Sequence, residues 1–162
     1  MRLHQQASRC TSTLIFWEGT MMNISLFFAA GCALINLWLA MRCGQVRTKE
    51  KILHGDGGNV LLGRRMRAHA NFAEFTPVVL VLFVLVEWSL GSSIMLWAVA
   101  ALYLLARILH GIGMDADRDA KPRMIGVMGT FLITLGLAGT AIYAGYTLTN
   151  TAVEPATVGT HA

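Results

Sequence analysis

Five positions between 64 and 78 recur at steps of three and four residues: Arg64, Arg67, Asn71, Glu74 and Val78. On a helix turning about 100° per residue they share an arc of roughly 80°. Two cations, an amide and a carboxylate would then line one face, while His69 points roughly 140° from Arg64 toward a different neighbour. That set can bind a polar, charged ligand, or form an ion-pair network within the protein. A second cluster joins Arg107 and His110, one turn apart, to Arg123, which directly follows Pro122. Pro122 favours a helix start, so Arg123 falls where a guanidinium and free backbone N–H groups together favour an anion, including a thiolate. Singly, Arg123 reads as a snorkelling boundary residue, and His110 as a boundary histidine bonded to backbone.

The elements that must carry these residues are membrane helices. The chain has 162 residues, 55% hydrophobic and 14% charged, with a mean hydropathy of +0.56. A globular domain is roughly a quarter charged, and the length allows one domain. The net charge of +4 does not point to nucleic acid, because the basic residues lie between long apolar runs, where they are juxtamembrane. Cys10, Cys32 and Cys43 form no C-x-x-C pair, which argues against a disulfide framework or a metal site.

A span needs about 20 apolar residues. The first run is Met21 to Met41; the third runs from about Ser92 to Leu109, and the fourth from Ile125 to about Leu148. The second is apolar only from Phe75 to Val86 and stops near Glu87, too short to cross. Its helix must therefore begin near Gly63 and carry Arg67, His69, Asn71 and Glu74 into or beside the bilayer. The pattern predicts an all-α fold, a bundle of four transmembrane helices over 23–41, 64–88, 93–112 and 124–147, with no strand and a tight turn at 89–93. Gly136, Thr140 and Ala144 read as a packing face of the fourth helix. Residues 1–20 read as an unstructured extension ahead of a start at Met21 or Met22, residues 21–149 as the membrane domain, and 150–162 as a flexible tail.

Eleven basic residues, Arg42 through Arg123, lie on the side of the loops after spans one and three, against Arg2 and Arg9 on the other. The positive-inside rule then makes both loops cytoplasmic and both termini extracytoplasmic. An unpaired charge deep in the bilayer costs roughly 2.5–3.5 kcal/mol, so the polar face of span two must meet protein, water or a polar ligand. A single pair would read as structural. Several polar positions in register favour a site, because small residues hold a bundle together at less cost.

Arg67-Ala68-His69-Ala70-Asn71-Phe72-Ala73-Glu74-Phe75-Thr76-Pro77 resembles the R-A-H-x-N-x-x-E-[YF]-x-P signature of the MAPEG family, membrane proteins of eicosanoid and glutathione metabolism. Gly55-Asp56-Gly57-Gly58 is similar to the loop of bacterial members, and Arg107, His110 and Arg123-x-x-Gly126 also fit; the resemblance spans about residues 22–148. It implies a homotrimer of four-helix protomers in the inner membrane, with glutathione as co-substrate between subunits near the cytoplasmic face. It also implies glutathione-binding roles for Arg64, Arg67, Asn71, Glu74 and Arg107, and for Arg123 a catalytic role in holding the thiolate. Arginine forks suit the two carboxylates of glutathione, and a nearby guanidinium lowers a thiol pKa from about 8.5. The expected activity is transferase- or peroxidase-type chemistry on lipophilic electrophiles that enter from the membrane lipid.

Three departures stand out: Phe75 and Met114 where catalytic relatives tend to have tyrosine, and the acidic run Asp115-Ala116-Asp117-Arg118-Asp119. The first two favour a rival reading, a non-catalytic lipid- or small-ligand-binding member of the same fold. A third reading, a small proton-coupled transporter using Glu74, is disfavoured by the surrounding arginines, which would hold Glu74 ionised.

Overall fold

A computed structural model describes residues 22–116 and 121–153; the readings of residues 1–20 and of the tail beyond 153 lie outside the described residues. Four helices follow one another: α1 (Asn23–Glu50), α2 (Val60–Leu90), α3 (Ile94–Gly113) and α4 (Lys121–Val153). All four are long and apolar enough to cross a membrane, and the described residues contain no strand. The all-α bundle read from hydropathy is thus the observed fold.

The boundaries differ most in α1, which continues past Met41 to Glu50. Its 28 residues are about 42 Å long at 1.5 Å per residue, against about 30 Å of hydrocarbon. Hydropathy marks where the membrane ends, not where the helix ends. The helix ends at Lys51, whose left-handed backbone (φ 54°) returns its N–H to the Arg47 carbonyl. At the start of α2, the Asn59 side chain accepts from Leu62 N at 3.0 Å, and so satisfies one of the free donors of the first turn. Before it, Gly55, Gly57 and Gly58 all have positive φ, which fits the glycine run of this loop.

The helices are neighbours in the cyclic order α1–α2–α4–α3, with α2 and α3 across the diagonal. Phe28, Phe83 and Tyr103 meet at the centre, with ring centroids 4.5 and 5.4 Å from Phe28. The close approach of α3 and α4 depends on Gly126, where a Cβ would fall 2.5 Å from the Ala106 carbonyl oxygen. Gly136, assigned to the packing face by its spacing, is exposed, and a Cβ there would meet nothing within 4 Å. Ala144 of the same series is buried. Small-residue spacing on α4 fits several faces; contact with α3 selects Gly126 and Gly129.

Glu87, which reads in sequence only as the end of an apolar run, is 1% exposed. Its carboxylate accepts from the backbone N–H of Ile24 at 3.2 Å and of Ser25 at 2.8 Å, and from the hydroxyls of Ser25 and Ser92. A carboxylate from α2 thereby caps the N-terminus of α1, where free N–H groups and the helix dipole both favour negative charge. Replacing Glu87 by Ala should cost about 2 kcal/mol or more, the scale of a charged hydrogen-bond acceptor, with a smaller loss for Glu87→Gln. Unfolding in detergent followed by circular dichroism reads this; equal stability of all three proteins would show that the cap does not hold the bundle.

Candidate functional site

Because α2 is continuous from Val60 to Leu90, the three-four spacing is kept and the polar face exists. Its members separate once the neighbouring helices are in place. Asn71 is half-buried and turns toward α3, where its Oδ1 accepts from Arg107 Nη2 at 2.8 Å. Arg107 Nη1 donates to Thr130 Oγ1 on α4 at 3.2 Å, and Thr130 in turn donates to the Gly126 carbonyl at 2.8 Å. The Arg107 guanidinium also lies 5.4 Å from the centre of the Phe72 ring. His69 faces the other way, with Nε2 2.9 Å from Asn36 Oδ1 on α1, as its angle on the helix predicts.

Arg107 is the unusual group. It is 1% exposed, within α3, a helix long and apolar enough to cross a membrane. Its partners among the described residues are neutral: an amide, a hydroxyl and a ring face. Its Nε and the Nδ1 of His110 are buried without a hydrogen-bond partner among the described residues. A buried guanidinium without a carboxylate is costly, and such a centre is chemically suited to an anionic group. Gly126 lets α4 close over it, since a Cβ there would also strike His110.

Arg67 and Glu74 are exposed on the protomer, and no hydrogen bond or ion pair joins their side chains to another described residue. Among the described residues no cation therefore reaches Glu74, where the sequence argument placed arginines around it. Arg64 is half-buried and reaches the Asp115 carbonyl at 3.4 Å. Arg123 is exposed in the first turn of α4, close behind Gly113 of α3, and its side chain is not bonded to any other candidate. The described residues of one protomer thus bring Asn71 and Arg107 together and leave Arg67, Glu74 and Arg123 without a contact to that pair. Arg118 lies outside the described residues.

Sequence reasoning missed what Asp115 does. Its carboxylate takes Arg42 Nη2 at 2.5 Å and a two-pronged contact from Arg65, at 3.2 and 2.9 Å. Arg65 also donates to the Arg42 carbonyl at 3.0 Å, and Arg42 to the Gly111 carbonyl at 2.7 Å while stacking on Trp38. One carboxylate after α3 thus fastens α1 and α2 at the basic end. The acidic run was the visible signal: an acid beside many arginines finds arginines. Thr130 carried no signal, because its role depends on which face of α4 meets Arg107.

This architecture defines a class: a four-helix membrane protein whose second helix carries a polar face beside a buried arginine of the third. A family model for the MAPEG family matches residues 25–143, and the chain belongs to that family. It is also 26% identical over 112 residues to the inner membrane protein YecN of Escherichia coli K12, covering 69% of this chain and 85% of that protein. The YecN protein of E. coli O6:H1 matches equally, 26% over the same length.

Partial burial alone would raise the Asp115 pKa, but hydrogen bonds from Arg65 and Arg42, and their charges, outweigh it and hold the carboxyl below its ordinary 3.8. A depressed folded-state pKa gives stability that is complete above the unfolded value and lost as pH falls through the folded one. Asp115→Asn should therefore lower the unfolding midpoint at neutral pH, and the gap from the native protein should close as pH drops below 3.8. A pH series of thermal midpoints checks this; a gap that persists in strong acid would assign the loss to something other than the charge.

Proposed function

We propose that this protein binds glutathione, or a related acidic thiol, between copies of itself in the inner membrane and conjugates it to lipophilic electrophiles. One observation carries the reading: Arg67 and Glu74 stand uncompensated on the exposed face of a membrane helix, flanking the Asn71–Arg107 pair. Charges in that position need a polar complement. A second copy of the chain together with a ligand that bears carboxylates and an ammonium would supply it. The homotrimer implied by the family resemblance provides such a seam. The name of the YecN relative and the family membership support the inner membrane as location, and the basic loops support a cytoplasmic site with both termini outside.

In this reading Arg64, Arg67 and Arg107 take carboxylates, Glu74 takes the ammonium, and Asn71 orients Arg107 through its amide oxygen. Arg123, exposed at the start of α4, lowers the thiol pKa by its charge and its place at a helix N-terminus. The thiolate attacks the electrophilic carbon and forms the C–S bond as the bond from that carbon to its leaving group breaks; the leaving group departs with that electron pair, and the thiol proton goes to solvent at the basic end.

The binding-module alternative has its own observation. The Phe75 ring lies 5.4 Å from that of Phe131 on α4, and Met114 packs on the core. Apolar contacts thus occupy the two positions where a tyrosine hydroxyl could act. Absorbance of a thiolate on adding glutathione separates the two, since a non-catalytic binder gives none.

Equilibrium binding of glutathione to the purified protein is the direct test. Arg67→Ala and Glu74→Gln should weaken it by about tenfold or more, the scale of one charge-assisted hydrogen bond. Arg123→Ala should instead lower turnover, on the order of 10²-fold as for loss of one preorganised stabilising group, with a smaller effect on binding. Arg123→Lys should recover part of the activity, because the charge is kept though the planar fork is lost. Unchanged turnover and thiolate absorbance in Arg123→Ala, with binding intact, would remove Arg123 from this role and leave Arg107 or Arg118 as the candidate.

A further inference from the structure

At the end of the bundle opposite the basic loops, α2, α3 and α4 diverge around a cavity of about 500 Å³. Its walls include Val86 of α2, Val99 of α3, and Leu132 and Leu137 of α4, and no charged residue lines it. The nearby Glu87 carboxylate is turned away onto the N-terminus of α1. The polar side chains at the wall are already engaged: Ser93 Oγ accepts from Leu96 N, and Thr140 Oγ1 donates to the Gly136 carbonyl. The cavity therefore offers a ligand mainly apolar contact, with the Ser93 O–H at its wall as an uncommitted side-chain donor.

Its shape narrows the occupant. On α4 the lining extends from Leu132 to Thr140, a separation of eight positions and so about 12 Å of helix, against about 15 Å for half of the hydrocarbon core. Spread over that length, about 500 Å³ gives a cross-section of about 40 Å². A helix 10–12 Å across needs roughly 80–110 Å², more than the recess holds, so a helix of a second copy could lie only across its mouth. A linear hydrocarbon chain, running from the interface toward the midplane, fits the length and the lining and is narrower than the recess.

We propose that this cavity is a binding site for one acyl chain of a phospholipid from the leaflet opposite the basic face. The site uses no residue of the glutathione reading and stands or falls separately from it. Gly136 makes the cavity possible: it lines the wall, and a Cβ there would meet nothing within 4 Å. A larger side chain at 136 fills the space without striking protein, whereas Gly145, equally open on the same helix, does not line the cavity.

The test places the full chain in nanodiscs doped with a phosphatidylcholine that carries a diazirine at mid-chain, irradiates them and maps the labelled residues by mass spectrometry. Label should concentrate on Val99, Leu132 and Leu137. In Gly136→Leu it should fall by about tenfold, because the new side chain displaces at least two chain methylenes; in Gly145→Leu it should be unchanged. Label spread evenly over exposed positions such as Leu102 and Leu105, and indifferent to Gly136→Leu, would overturn the proposal. So would cavity labelling by a free diazirine fatty acid but not by the phospholipid, which would assign the site to dispersed amphiphiles. Cross-linking between two chains through position 136 would likewise overturn it and assign the recess to a second copy.

Discussion

A charge inside a bilayer has to be answered by something, and much of this molecule follows from how each charge is answered. Glu87 is met by backbone N–H groups and two hydroxyls at the start of α1. Asp115 is met by two guanidinium groups at the opposite end. These two carboxylates close the bundle at its two ends, each joining helix ends that no loop connects at that end. Among the described residues Arg107 is met only by neutral partners, and Arg67 and Glu74 by none. The charges thus divide into those that fasten the fold and those that the protomer leaves available.

The available charges are positioned by the packing. Gly126 and Gly113 bring α4 against α3 closely enough for Thr130 to reach Arg107 and for Arg123 to sit behind the end of α3. Asn71 holds the guanidinium from the α2 side. Held by acceptors on α2 and α4, Arg107 loses little freedom when an anion arrives, which is what preorganisation requires of a binding group. At the other end of the bundle α2, α3 and α4 line an apolar recess. The polar cluster and the apolar recess therefore lie at opposite ends of the bundle.

The four helices were legible in the sequence because lipid forces every backbone group to pair within its own segment. The polar face of α2 was legible for the same reason, since a helix fixes the angles between its own residues. What could not be read was azimuth between helices. Asn71 reads as a ligand group until α3 places Arg107 against it. Gly136 reads like Gly126 until only the latter is found against a neighbour. Glu87 reads as a boundary because its partners lie on α1, more than 60 residues away. The length of α1 was hidden for another reason: its last turns are polar and lie beyond the hydrocarbon, where hydropathy gives no signal.

The central claim is that the α2 face bearing Arg67 and Glu74 meets a polar, protein-lined seam and not lipid. A nitroxide on Val78→Cys tests it most directly, because Val78 shares that face, is 54% exposed on the protomer, and its replacement leaves every charge in place. In bilayers the account predicts that this label has low access to dissolved oxygen and loses mobility when glutathione is added, while a label at Leu102, 58% exposed on α3, stays oxygen-accessible and unresponsive. Oxygen access at position 78 equal to that at 102, with no response to glutathione, would mean that lipid covers the face, and would contradict the account.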